Sequence, residues 1–349
     1  MTPGGTQEGR PLRRAATRKR PTLVDVAREA GVGTTTVSRI INGGHYVEAG
    51  TMARVQAVMK KLGYQPNHAA RALKGEHTHT LGLIVPSLKD EFFANLADTV
   101  QTLARQKDYV LIVLASADDA AQETREIAVF QSHRIDGLIV VPPRIQTQAF
   151  LHAVQALNVP VVAVDRPLLA RTSSVTCDNY DAAFKATQHL ISHGRKRILC
   201  LGGDPDLYTI QERQRGYKDA LQQASLNAEI ISSATVSEVT KGLIAALNRP
   251  VKRRPDAIFG LLNAAAVSVY EELSKLGRKI PEEVSLIGFD DFPLSSIVTP
   301  TVSVVRQPVS EIGWAATRLI FEQIERSSNV PHHLTVETEF ICRRSCGCS

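Results

Sequence analysis

The sequence predicts an α/β protein carrying a small all-α head. Three observations lead there. Basic charge is concentrated near the N-terminus, residues 21–63 read as three short helices, and from residue 79 apolar β-rich runs alternate with amphipathic helices. At 349 residues the chain is too long for one ordinary core, so two or three domains are expected. Its 43% hydrophobic and 22% charged content is that of a globular protein. No apolar run approaches the roughly 20 residues that span a membrane, and residues 1–20 lack the apolar stretch of a secretory signal. A cytoplasmic location is therefore expected.

The net charge of +6 hides an asymmetry. Residues 1–75 hold thirteen Lys or Arg against four Asp or Glu, a net +9, while the rest of the chain nets −3. Residues 1–20 carry six of those basic residues and too few hydrophobics for a core, so a disordered basic tail is expected there. The charge continues into a segment patterned as helix, and that combination favours a polyanionic partner.

The first helix is expected over Leu23–Ala30, with Thr22 and Asp25 as a capping box and Gly31 as its end. A second runs from about Thr34 to Ile41. A third starts near Glu48, carries Val55, Val58, Met59 and Leu62 on one face and closes at Gly63. Val26, Ala27, Ala30, Val32, Val37, Ile40 and Ile41 supply a small shared core. The second helix then shows Thr34, Thr35, Ser38 and Arg39 outward. Short hydrogen-bonding groups with one guanidinium suit base edges and phosphates in a DNA major groove. A generic helical hairpin needs no such uncharged polar face. After Pro66, the stretch Asn67–Gly75 favours a helix too short to stand alone, as a hinge would be.

Seven strands are expected in the body: Leu81–Val85, Tyr109–Leu114, Asp136–Val141, Pro160–Val164, Arg197–Leu201, Ala257–Leu261 and Val284–Gly288. Helices such as Glu91–Gln106, Tyr180–His193, Arg215–Ala224 and Ala265–Leu276 lie between them. Continuous apolar strands with helical crossovers imply parallel sheets covered on both faces, here two doubly wound lobes. Ligands of such sheets bind beyond the carboxyl ends of the strands, which makes the strand-end loops the site candidates.

Across about residues 21–343 the chain resembles the LacI/GalR family of bacterial repressors. The resemblance rests on Leu23–Asn42, Tyr64-Gln65-Pro66-Asn67, Leu81–Pro86, Asp136–Val140, Pro160–Arg166, Glu212–Tyr217 and Ile280–Asp291, which occur in family order. It implies a lambda-repressor-like helix-turn-helix domain at 21–66 and a hinge helix and linker at 67–78. It also implies a two-lobed periplasmic-binding-protein-like body at 79–349. The lobes are expected at about 79–177 plus 282–309, and at about 178–281 plus 310–345.

The resemblance further implies DNA contacts from Thr22, Leu23, Gly33, Thr34, Thr35, Ser38, Arg39, Asn42, Asn67, Ala70 and Leu73. Leu73 would act as an apolar wedge in the minor groove, with ordinary hinge packing as its other reading. Gly33 departs from the Ser or Thr that commonly caps the second helix, and Glu48 replaces a Ser. The implied effector residues are Phe92, Phe93, Asp165, Arg166, Arg213 and Asn263. Either phenylalanine could stack on a ligand ring, with Phe93 favoured, or serve the core. Asp165 and Arg213 could clamp a ligand or form an inter-lobe salt bridge. Asn263 stands where sugar- or purine-responsive members often carry Asp. A sugar, sugar phosphate or other sugar derivative is expected as effector, and two arginines near Asn263 would favour an anionic or phosphorylated one. Operator DNA of pseudo-palindromic form and a second copy of the chain complete the implied partners.

No cofactor, metal or enzymatic activity is expected. G-x-S-x-G, H-E-x-x-H and P-loop motifs are absent from the sequence. Five cysteines exclude a simple disulfide framework. Cys342, Cys346 and Cys348 have an unusual metal spacing and no neighbouring histidine, and they read as chance or a mobile tail, with a metal or redox role as the other reading. His189 and His193, spaced i, i+4, read as a solvated or packed helix face. A solute-binding protein and a sugar-processing enzyme are the rival readings of the whole.

Overall fold

A computed structural model describes residues 21–41, 47–64, 77–326 and 330–348. The chain divides into two units, residues 1–76 and 77–349. The first contains α1 (Leu23–Ala30), α2 (Thr34–Ile41) and α3 (Ala49–Leu62). The capping box forms: the Thr22 N–H donates to Asp25 Oδ2 at 2.9 Å, and the Asp25 N–H donates to Thr22 Oγ1 at 3.3 Å. Gly31, at φ +65°, turns the chain out of α1 as a left-handed cap. Val26, Ala27, Ala30, Val37, Ile40 and Val55 are buried together, with Leu23, Val32, Ile41 and Leu62 packed around them.

The second unit contains two six-stranded sheets. The first lobe takes β1 (Thr80–Val85), β2 (Val110–Ala115), β3 (Gly137–Val140), β4 (Val161–Val164), β5 (Ser173–Cys177) and β11 (His333–Val336). Their order is β11-β5-β4-β3-β1-β2, all parallel. The second lobe takes β6 (Ile198–Leu201), β7 (Glu229–Ile231), β8 (Ala257–Gly260), β9 (Ser285–Phe289), β10 (Ser303–Arg306) and β12 (Glu339–Ile341). Their order is β12-β10-β9-β8-β6-β7, parallel except for β12 against β10.

Helices α4 (Glu91–Gln106), α5 (Ala120–His133), α6 (Gln148–Ala156) and α11 (Val309–Arg326) cover the first sheet. Helices α7 (Asn179–Ser192), α8 (Tyr208–Gln223), α9 (Val236–Leu247) and α10 (Asn263–Lys275) cover the second. Burying both faces explains the near-continuous Val, Ile and Leu runs of the central strands. Gly216 lets α8 press on α7, because a Cβ there would run into the Tyr180 carbonyl oxygen.

The expected lobe boundaries need correction. Residues 282–309 were assigned to the first lobe, but β9 pairs with β8 and β10 with β9, both in the second sheet. Residues 310–345 are expected in the second; 338–345 do join it through β12, but 310–337 belong to the first, where α11 packs on α4 and β11 adds to β5. The chain therefore crosses between lobes three times, near residues 178, 307–308 and 337–338. Strand pairing decides this, and an apolar run does not declare its neighbour. β5, β7, β10, β11 and β12 were not expected as strands. Each has three to five residues, and those at the sheet edges are only partly buried.

Candidate functional site

In the head, Thr34, Thr35 and Arg39 are exposed on α2 and Ser38 is half-buried. Val37 and Ile40 of the same helix face the core. The predicted reading face thus projects outward from a helix anchored on its other side. Gly33 opens α2 through its carbonyl, which accepts the N–H groups of Thr36 and Val37 at 3.0 and 3.2 Å. The Thr22 hydroxyl is engaged with Asp25 at 2.7 Å, and Leu23 leans on the core. Both therefore serve the head's own structure. Asn42, Asn67, Ala70 and Leu73, with the basic tail and the hinge helix, lie outside the described residues.

In the body, strand ends of the second lobe and helices α4 and α11 of the first border a cavity of about 670 Å³. Phe92 and Asn95 line it from α4, Asn263 from the start of α10, and Asp290 from the end of β9. Gln307 and Glu311 line it from the crossover into α11. A second cavity, about 390 Å³, lies between Asp118 and Arg144 of the first lobe and Gly203, Asp204 and Ala265 of the second. Arg144 is ion-paired to Asp204 across the cleft.

Two buried polar clusters border the cleft. Arg166 donates from Nη1 to Asp118 Oδ1 at 2.6 Å and to the Pro142 carbonyl at 3.0 Å. Its Nε donates to Asp165 Oδ2 at 3.2 Å. In the other lobe Arg213, 2% exposed, donates from Nε to Asn179 Oδ1 at 2.8 Å and from Nη1 to the Leu261 carbonyl at 2.7 Å. Its guanidinium lies 3.5 Å from the Phe289 ring centroid and 3.8 Å from Asp290 Oδ2. Gln307 donates to Asp290 Oδ1 at 2.5 Å.

Burial lowers the Arg213 pKa below the ordinary guanidinium value, although Asp290 and Asp165 both oppose it. Burial raises the Asp165 and Asp290 carboxyls above theirs, with Arg166 and Arg213 pulling the other way. A guanidinium stays charged in proteins, so the arrangement is an ionised cluster that compensates itself.

The six expected effector residues fall into four places. Phe92 and Asn263 line the cavity. Arg213 lies behind it and meets it through Asp290, whereas Asp165 and Arg166 form a separate buried cluster with Asp118, which lines the second cavity. Phe93 is a correction: it is 8% exposed and packs with Leu96, Val100 and Ile312 in the first lobe's core. On a helix, neighbouring residues point about 100° apart, so only one of the pair can face the cleft. The Arg213 hydrogen bonds stay within its own lobe, so it is not the inter-lobe bridge. Asp290 was not singled out beforehand. Its signal was available in the Asp that ends a continuous apolar strand, as Asp165 does.

The charge around the cavity bears on the expected sugar or sugar-phosphate effector. Both arginines are already engaged by carboxylates, and Arg306 and Arg343 at the cavity edge are both bonded to Asp291. Burial works against the Asp291 anion, yet hydrogen bonds from Arg343, Ser295 and Arg306 hold its carboxyl well below the usual range. With Glu91, Asp98, Asp290 and Glu311 also in the lining, the cavity is lined by an excess of acids. Such a site suits neutral polyhydroxyl compounds, whose hydroxyls donate to carboxylates.

The C-terminal cysteines are not a loose tail. Ser345 and Cys346 are fully buried against β9. The Ser345 hydroxyl donates to the Leu286 carbonyl at 2.6 Å, and Ser285 donates to the Cys346 carbonyl at 3.0 Å. Among the described residues, no helix is long and apolar enough to cross a membrane.

Comparison with known proteins agrees with this geometry. Residues 22–67 match the family "bacterial regulatory proteins, lacI family". Residues 78–344 match "periplasmic binding proteins and sugar binding domain of LacI family". The HTH-type transcriptional repressor PurR of Aliivibrio fischeri (strain MJ11) is 29% identical, over 93% of this chain and 98% of its own. The ribose operon repressor of Escherichia coli (strain K12) is 30% identical, over 87% of this chain and 93% of its own. A solved complex of the transcriptional regulator CelR with cellobiose is similar at 27% identity and a TM-score of 0.69. It covers 93% of this chain and 100% of that one.

Proposed function

The chain belongs to the LacI family of bacterial regulatory proteins, and from that premise we propose how its residues divide the work of an effector-controlled repressor. It is a DNA-binding transcription regulator whose operator affinity is set by a small molecule bound in its two-lobed body. Thr34, Thr35, Ser38 and Arg39 read base edges and phosphates from α2. Asn42 and the hinge residues Asn67, Ala70 and Leu73 extend the contact. Two copies of the chain present two heads to a pseudo-palindromic operator, which puts its work in the cytoplasm.

The effector is a neutral sugar or a similar polyhydroxyl compound, held in the 670 Å³ cavity. Phe92 offers a face to the ring, and Asp290, Asn263 and Gln307 take its hydroxyls. Arg213 orients Asp290 from behind and opposes the effect of burial on its carboxyl. Cellobiose in the CelR structure and ribose control in the Escherichia coli relative support this ligand class. Filling the cleft favours one spacing of the lobes, and by linkage the same preference changes operator affinity.

The observation that carries the reading is the pairing, in one chain, of an outward polar recognition face with a carboxylate-lined inter-lobe cavity. The test is selection of genomic fragments by the purified full-length chain, repeated with pooled sugars. Recovery of palindromic sites of about 14–20 base pairs, with occupancy changed by a sugar, is the expected result. Recovery of no site under any ligand at moderate salt would remove the repressor reading and favour a solute-binding protein.

A further inference from the structure

The body brings together four soft ligands that lie far apart in the sequence. β12 ends at Ile341, so Cys342 stands at the sheet edge. A short 3-10 turn over Arg344–Cys346 follows, and Gly347, at φ +106°, reverses the chain so that Cys348 comes back beside Cys346. Only glycine adopts that conformation without strain. The last turns of α7 present His189 to the same point, 159 residues before Cys348 in the chain.

The Cys342 and Cys346 sulfurs are 3.7 Å apart, and Cys348 Sγ is 3.4 Å from His189 Nε2. The four ligand atoms of Cys342, Cys346, Cys348 and His189 all lie within 4.8 Å of one another. His193, one turn further along α7, also brings its Nε2 to 3.4 Å from Cys348 Sγ. A tetrahedral zinc ion, with bonds of about 2.3 Å to sulfur and about 2.0 Å to nitrogen, needs ligand–ligand edges of about 3.5–3.8 Å. The Cys342–Cys346 and Cys348–His189 separations are close to those edges, and the remaining pairs, all within 4.8 Å, need to close by at most about 1 Å around an ion. They are far too long for a disulfide, whose sulfurs lie about 2.05 Å apart.

The frame around the four groups is fixed. Cys346 is fully buried, and its carbonyl is held by Ser285. Arg343, between the first two cysteines, donates to Asp291 from both terminal nitrogens and to the Val302 carbonyl at 2.7 Å. His189 stacks at 4.7 Å from Phe340. Three thiolates and a neutral imidazole around a divalent ion leave one net negative charge. The Arg195 guanidinium comes to 4.0 Å from where a Gly347 Cβ would stand, placing a positive charge beside the turn.

We propose that Cys342, Cys346, Cys348 and His189 form a structural site for a thiophilic divalent cation, zinc above all. The ligand set is closed at four, with three sulfurs, which suits structural zinc and leaves no position for a substrate. The ion ties the C-terminal turn to α7. That helix starts at Asn179, the partner of Arg213, and His189 lies about 15 Å further along it at 1.5 Å per residue. His189 is therefore remote from the cavity, whereas Arg343, between Cys342 and Cys346, lines its edge, so the clip ties the far end of α7 to a turn that borders the cavity.

The test uses the full-length chain purified under reducing conditions without added chelator. One zinc per chain by elemental analysis is expected. After chelation, cobalt(II) should produce the thiolate charge-transfer and tetrahedral ligand-field bands, and re-added zinc should bleach them and raise the melting temperature. Cys342→Ser and Cys348→Ser, at exposed and half-buried positions, should fold by circular dichroism yet lose the zinc and the cobalt bands. His189→Asn should shift the ligand-field bands. A reduced chain that takes up no cobalt would overturn the site, as would zinc retained unchanged in both serine variants. So would ready oxidation of Cys342 and Cys346 to a disulfide in a chain that binds neither metal; that result would put a redox pair in the site's place.

Discussion

Asp165 and Asp290 occupy the same station in the two lobes. Each is the first residue after the third strand of its sheet order, β4 and β9, and each has φ +69°. Each donates its N–H to the next strand, Asp165 to the Val175 carbonyl at 3.0 Å and Asp290 to the Val305 carbonyl at 2.9 Å. The left-handed conformation is rare outside glycine, and Asp and Asn are the side chains that best tolerate it. Two equivalent strand ends thus aim carboxylates into one cleft, and Arg213 feels both.

That relationship makes Arg213 the first target. Arg213→Lys keeps the charge but loses the bond to Asn179 and the planar stacking on Phe289. Sugar affinity should fall at least about tenfold, or about 1.4 kcal/mol, by calorimetry. Ligand-free operator binding should persist, because the head is untouched. Unchanged sugar affinity would detach Arg213 from the effector site. Arg213→Met should cost about 3–5 kcal/mol of stability, since it leaves buried carboxylates unpaired.

Phe92 and Phe93 separate function from packing. Phe93→Ala should destabilise the body by about 3–5 kcal/mol in denaturant titrations, as deletion of a core ring does. Phe92→Ala, which removes a half-buried ring leaning on the edge of that core, should cost less stability than Phe93→Ala while sugar binding weakens. The reverse pattern would mean that the cavity lined by Phe92 is not the effector site.

On the head, Arg39→Ala should weaken operator binding. If Arg39 holds a phosphate, the slope of log affinity against log salt should decrease by about one. If it reads a base, the loss should be about 1–3 kcal/mol and confined to one operator position. Gly33→Ser should stabilise the head by a few tenths of a kcal/mol. There is room for the side chain, whose Cβ would meet only Thr35 Oγ1, at 3.5 Å.

Glu123 predicts a pH dependence. It is fully buried on α5, and its Oε1 accepts from Ser116 Oγ at 2.7 Å. Burial, reinforced by Asp118, pushes its pKa up to about 8. The folded state therefore holds the proton more tightly than the unfolded chain, whose value is near 4.5. Stability from this group is fully present below about pH 4.5 and is lost as pH rises through 8, by up to about 4 kcal/mol. Thermal melts of wild type should fall across that window. Glu123→Gln should flatten the profile and be the more stable protein at pH 8.5. Parallel profiles would show that Glu123 ionises freely in the folded state.

The head was legible almost residue by residue. Its capping box, glycine stops and apolar positions are local signals, and a three-helix core of this size has few ways to satisfy them. The central strands of both sheets were legible for the same reason, since residues buried on two faces must all be apolar. The order of acids and arginines at strand ends announced a cleft, and the family resemblance pointed to its residues.

Only the tertiary structure decided which lobe received residues 282–345, because strand pairing across a crossover leaves no mark on the strand's own sequence. It decided between Phe92 and Phe93, whose chemistry is identical and whose directions on α4 are not. It paired Arg166 with Asp118 and Asp165, and Arg213 with Asp290, so that neither guanidinium stands as a free cation for a ligand. It also brought His189, 159 residues before Cys348, to three cysteines that, read along the chain, had no fourth ligand. Short-range signals set the elements, whereas charge balance and ligand geometry are properties of distances that exist only once the sheets have assembled.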